Sequence, residues 1–134
     1  MNYLLDTHIV LWALVDEGRL DEEIRTLLIN PDNTIYYSMA SVWEVAVKHK
    51  IHPEQMPISE EEFVSLCEKT GFEELSIENC HIYAVKTLSR SDTAPKHNDP
   101  FDRLLIAQAK SEELKFITHD GLLEAYNESC IMKI

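Results

Sequence analysis

Glycine and proline are scarce in this chain, three and five among 134 residues. So few glycines cannot supply the phosphate-cradling loop of nucleotide-binding folds, and few breakers mean mostly regular structure with short connections. Cysteine is sparse as well. Cys67, Cys80 and Cys130 are widely spaced, odd in number and form no C-x-x-C pair, so a zinc knuckle or dithiol redox motif is disfavoured. Buried, reduced thiols suited to the cytoplasm are expected instead. No apolar run is long enough to cross a bilayer, and the N-terminus lacks the basic stretch and cleavage site of a secretory leader. A soluble cytoplasmic protein is therefore expected. Basic residues are the minority: 12 Lys plus Arg face 24 Asp plus Glu, a formal net charge of −12. This balance argues against attachment to nucleic acid through a broad basic surface.

What is present is ordinary for one globular domain, expected to span residues 1–134, with 45% hydrophobic and 27% charged residues. A chain of this length buries enough surface to fold without disulfides or a structural metal. The acidic excess is uneven. Glu60, Glu61, Glu62, Glu68, Glu73, Glu74 and Glu78 are opposed only by Lys69 in their stretch, the pattern of a solvated helix face. The Ser59-x-x-Glu62 spacing is that of a capping box, which accounts for Glu62 without any function.

Short strands are expected at Tyr3–Leu5, Ile35–Tyr37, Glu73–Leu75 and Lys115–Ile117, with a last edge strand at Cys130–Met132. Helices alternate with them: His8 to about Val15, one opened by Asp21, one capped by Ser38 or Ser41 and running through Lys48, one from Ser59, one from Glu78 to about Leu88, and one starting near Pro100. Such alternation predicts an α/β fold, a three-layer α/β/α domain with a central, mostly parallel sheet of four to five strands. Ligands in such folds bind beyond the carboxyl ends of the strands, at the switch in strand order. Asp6, Ser38 and Asp120 all follow strands, and Glu44 and Asp102 lie in early turns of helices that start at the same rim.

Converging carboxylates repel one another unless a cation neutralises them. Oxygen donors with no cysteine or paired histidine favour magnesium or manganese. Two such ions roughly 4 Å apart can activate water and stabilise a leaving oxygen in phosphodiester hydrolysis. Each acid also has a plainer explanation. Asp6, Asp99 and Asp120 are good helix caps, and Glu44 stands four residues before Lys48, the spacing of a helical ion pair. Thr7 and Ser38 are placed to bond the carboxylates or a bridging water, or simply to cap. Trp12 and Trp43 read as core or dimer contacts. His8, His97 and His119 flank the acids and read as polar rim residues. A receiver-like phosphoacceptor would want an acidic doublet after its first strand, and a haloacid-dehalogenase-type phosphatase D-x-D; this chain reads D-T-H at 6–8.

Four stretches in order carry a resemblance: L-L-D-T-H-I-V-L-W at 4–12, S-M-A-S-V-W-E-V-A-V-K at 38–48, H-N-D-P-F-D-R-L-L-I-A-Q-A at 97–109 and F-I-T-H-D at 116–120. Together they resemble PIN-domain proteins over almost the whole chain, and most nearly the VapC-like toxins of type II toxin–antitoxin systems. The resemblance implies a Mg2+- or Mn2+-dependent endoribonuclease. Asp6 matches the first metal ligand, Glu44 the second acid, Asp102 the third and Asp120 the fourth, more variable one. Asp99 belongs to the D-P-F-D-R pattern and reads mainly as a loop or helix-start residue. Homodimerisation is implied, as is an antitoxin partner whose arm enters the acidic site, often with a basic side chain. RNA would then be met by local cations, with Lys48, Lys50, Lys86, Arg90, Lys96 and Arg103 as candidates. The rival is a degenerate PIN domain that serves only as a protein-interaction module.

Overall fold

A computed structural model describes residues 1–134. The elements run β1 (Asn2–Leu5), α1 (Thr7–Val15), α2 (Glu22–Ile29), β2 (Thr34–Ser38), α3 (Met39–Ile51), α4 (Glu60–Thr70), β3 (Glu73–Leu75), α5 (Asn79–Val85), α6 (Pro100–Glu112), β4 (Lys115–Thr118) and β5 (Ile131–Lys133). Short 3-10 helices follow α1, at Glu17–Arg19, and β4, at Gly121–Ala125. All pairings in the sheet are parallel, in the order β3-β2-β1-β4-β5. The chain winds outward from β1 through β2 to β3, then crosses through α5 and α6 to the other side of β1. The switch in strand order therefore falls between β1 and β4.

Strand alternation divides the core. In β1, Tyr3 and Leu5 enter one cluster with Ile9, Val10, Ile24, Val45, Phe63 and Cys67, while Leu4 enters another with Leu105, Ile106, Ala109 and Leu123. In β4, Ile117 joins the first cluster and Phe116 the second. A period of two thus sends successive residues to opposite faces, and helices cover both. At the site end the β1–β4 pairing is extended past the strand by Asp6 N–H, which donates to Ile117 O at 2.9 Å.

Helix starts use the residues expected chemically to supply them. Asp21 Oδ1 accepts from Ile24 N at 3.0 Å, Ser38 Oγ from Ala40 N at 2.9 Å and Ser59 Oγ from Glu62 N at 3.1 Å. Gly71, at φ +90, supplies the left-handed residue that ends α4. Two expectations need correction. The helix expected from Glu78 to Leu88 stops at Val85, because Thr87 Oγ1 bonds Ala84 O at 2.6 Å and its backbone turns onto the same carbonyl. The thiols are not uniformly buried: Cys67 is, Cys130 is partly covered and Cys80, on the outer side of α5, is exposed.

Candidate metal centre

Asp6 ends β1 and begins α1. Its Oδ1 accepts from Thr7 N at 2.8 Å and its Oδ2 from Thr118 Oγ1, at the end of β4, at 2.7 Å. The residue is only 5% exposed. Burial raises its pKa, the Thr118 and Thr7 bonds oppose the rise, and the negative charge of Glu44 adds to it.

Glu44 lies on α3 and is 4% exposed. Thr7 Oγ1 donates to Glu44 Oε1 at 2.7 Å, and Lys48 Nζ donates to Oε2 at 2.6 Å. Thr7 Oγ1 is also 2.8 Å from Ser41 Oγ. Since the Thr7 hydroxyl has one proton and directs it to Glu44, Ser41 is the donor of that pair. Desolvation works against the Lys48 ammonium, but the bond to Glu44 and the charges of Asp99 and Asp102 outweigh it and raise the Lys48 pKa.

Asp99 and Asp102 lie at the start of α6. Asp99 is its cap: Oδ1 accepts from Phe101 N at 2.9 Å and Asp102 N at 3.1 Å. Asp102 Oδ2 lies 3.1 Å from His97 Nε2. Burial, followed by the charges of Asp6, Asp99, Glu44 and Asp120, pushes the Asp102 carboxyl up to about 8. Asp120, after β4, caps the next 3-10 helix by accepting from Leu122 N at 2.9 Å. Ligand atoms of His97, Asp102 and Asp120 lie within 4.8 Å of one another.

These groups share a cleft of about 330 Å³ lined by Asp6, His8, Trp12, Glu44, Lys48, Asp99, Asp102, His119 and Asp120. Five carboxylates thus face one lysine, whose ammonium is already bonded to Glu44. The donor set is hard oxygen with a histidine at its edge, fitted to a divalent cation of the magnesium or manganese kind. A larger cavity, about 750 Å³, opens at the opposite end of the strands beside Thr34, Ile35, Phe72 and Glu73 and contains none of these acids.

The sequence profile of the PIN domain matches residues 3–128. The chain belongs to the PIN domain family. Its fold is shared by a chain of VapBC2 from Rickettsia felis, solved bound to a DNA fragment from their promoter: TM-score 0.66, 14% identity, 100% of this chain and 98% of that one covered. A chain of a toxin–antitoxin complex from Klebsiella pneumoniae gives TM-score 0.57 at 20% identity, over 98% and 99% of the two chains. Comparison with curated proteins gives no match.

In this PIN domain the capping and clustering explanations of the acids hold together, because each cap bond fixes a carboxylate at the rim. Ser38 is different. Its Oγ donates to Gln108 Oε1 at 2.5 Å and caps α3, so of its two expected roles it takes the cap and bonds no carboxylate. Thr7 does bond one. Among the proposed RNA cations, Arg90 and Arg103 are turned inward: Arg90 donates to Pro95 O and Leu122 O, Arg103 to Tyr126 Oη and Val85 O. Lys50, Lys86 and Lys96 are exposed. Trp43 is no core residue; it is 59% exposed and rests edge-on against Phe101. His8 and His119 are exposed, whereas the His97 side chain, 6% exposed, is buried at the edge of the carboxylate cluster. Sequence reasoning missed the site contacts of Thr118, Ser41 and Tyr126, and Ser41 is not the cap of α3 that it offered beside Ser38. Thr118 directly precedes H-D at 119–120 and could have been found as the strand-end hydroxyl beside Asp6; nothing local marks Tyr126.

Proposed function

We propose that this PIN domain is a metal-dependent endoribonuclease and the toxin of a type II toxin–antitoxin pair. The observation that carries the reading is the gathering of Asp6, Glu44, Asp99, Asp102 and Asp120 around one cleft, where burial and then the neighbouring negative charges push Asp102 up to about 8. Asp6, Glu44, Asp102 and Asp120 would hold Mg2+ or Mn2+, with Asp99 at the margin. The ion would supply Lewis-acid activation of water and charge neutralisation at the scissile phosphate. The chain's own part is positional. Thr7 N–H and Thr118 fix both oxygens of Asp6, Thr7 and Lys48 fix those of Glu44, and capping fixes Asp99 and Asp120. Lys48, 41% exposed at the side chain, is the cation best placed to meet substrate phosphate.

Partners follow from the same charge. An anionic cleft in a chain of net charge −12 suits a basic side chain on the arm of a small antitoxin. The fold shared with VapBC2 and the Klebsiella complex favours that partner over a housekeeping role. Exposed Met39, Trp43, Ile82 and Tyr83 offer apolar surface for a homodimer. No helix is long and apolar enough to cross a membrane, in keeping with action in the cytoplasm.

Pulsed expression followed by sequencing of cellular RNA 5′ ends tests the reading. Discrete new ends and growth arrest are expected with the wild type and neither with Asp6→Asn. A folded wild type that creates no new ends would instead support a protein-interaction module.

A further inference from the structure

Beside the cleft, and outside the carboxylate set, lies a buried chain of side chains that the proposed activity does not yet use. Tyr126 is 4% exposed and follows the 3-10 helix after Asp120. Its backbone is pinned on both sides: Ser91 N donates to Ala125 O at 3.0 Å and Asn127 N to Ser89 O at 2.9 Å. The Arg90 guanidinium lies over its ring, 5.1 Å from the centroid. Arg103 Nη1 donates to Tyr126 Oη at 3.2 Å, and the same oxygen is 2.8 Å from His97 Nδ1. On the far side of that imidazole, Nε2 faces Asp102 Oδ2 at 3.1 Å.

The proton count in this chain has a direction. Arg103 can only donate, so it occupies a lone pair of Tyr126 Oη. The phenol proton then has two acceptors, His97 Nδ1 at 2.8 Å and the more distant His97 O at 3.4 Å. When it goes to Nδ1, a neutral imidazole must carry its own proton on Nε2, pointing at Asp102. Every donor then runs toward an ionised carboxylate, which is the form a cation requires. Oδ2 is held by the ring, and Oδ1 has no hydrogen bond from the chain.

We propose that His97 and Tyr126 are positioning residues for the metal centre: Tyr126, braced by Arg103, sets the imidazole tautomer, and His97 Nε2–H orients Asp102 toward the cation. The inference rests on the metal-binding reading of the cleft. It assigns His97 to the shell behind the ligand, where partners of this kind typically change metal affinity by about 10–100-fold. The competing arrangement has His97 itself on the ion, since its ring nitrogen is within 4.8 Å of ligand atoms of Asp102 and Asp120.

The test is Mn2+ binding by the full chain, with circular dichroism to confirm folding. His97→Leu should weaken Mn2+ by about tenfold or more. His97→Gln, whose amide N–H can replace Nε2–H, should stay within about threefold of wild type, and Tyr126→Phe should fall between the two. Electron spin-echo envelope modulation of the Mn2+-loaded wild type should show no directly bound histidine nitrogen. In the Mg2+-loaded protein, nitrogen NMR should find the His97 proton on Nε2 in the wild type and shared between both nitrogens in Tyr126→Phe. Unchanged Mn2+ affinity in folded His97→Leu and Tyr126→Phe, or a coordinated histidine nitrogen, would overturn the positioning role while leaving the metal site standing. A wild type that binds no Mn2+ would overturn both.

Discussion

Asp99 and Asp102 are three residues apart and both acidic, yet their surroundings assign them different work. Asp99 Oδ1 is committed to two backbone amides of α6, whereas Asp102 faces the cleft with a carboxyl raised to about 8. Asp102→Asn should therefore lower RNA cleavage by at least about a hundredfold, since it removes a proposed ligand, and Asp99→Asn by about tenfold or less. Cleavage rates of the purified variants decide this; a dead Asp99→Asn beside an active Asp102→Asn would reverse the assignment. The same pKa fixes a pH dependence. The folded protein holds the Asp102 proton more tightly than the unfolded chain, so that stabilisation is complete below about pH 4 and is lost as pH rises through about 8. Metal-free wild type should thus lose thermal stability between pH 5 and pH 8. Asp102→Asn should flatten the profile, giving a Tm higher than wild type by about 3 °C or more at pH 8. Parallel Tm profiles for the two proteins would remove Asp102 as the source of the strain.

At the scale of elements, β1–α1 and α3 meet through polar groups as well as apolar ones. Thr7 receives from Ser41 and donates to Glu44, all three buried. Thr7→Val keeps the shape but leaves two buried polar side chains short of a partner, which should cost about 1–3 kcal/mol in chemical denaturation. A loss below about 0.3 kcal/mol would mean that the contact does not lock the helices together. The element pattern was largely legible beforehand, because Leu4–Leu5, Ile35–Tyr37 and Phe116–Ile117 are short β-rich runs separated by helical periodicity. The rim positions of Asp6 and Asp120 followed from that pattern alone, as did the cap before α6. What stayed hidden depended on contacts distant in sequence. Ser38 looked suited to the carboxylates because it ends a strand, but Gln108, seventy residues on, takes its hydroxyl. His97, in the loop before α6, gave no sign of its partner, because Tyr126 lies 29 residues further along the chain. Arg90 and Arg103 looked free because Leu122 O and Val85 O, carbonyls that they bond, are distant in the chain.

For the molecule as a whole, a parallel sheet with its switch between β1 and β4 gathers acids from five places in the sequence into one cleft, in a protein whose net charge of −12 already repels RNA. The same charge that would draw a cation or a basic antitoxin arm would set a barrier to an RNA substrate, which Lys48 and a bound ion at the cleft would relieve locally. The most direct measurement of this account is RNA cleavage by purified protein stripped of metal and then titrated with Mn2+ or Mg2+. The account predicts no cleavage by the stripped protein, recovery that saturates with added ion, and no recovery for Asp6→Asn or Asp102→Asn. Equal cleavage before and after thorough metal removal would contradict it.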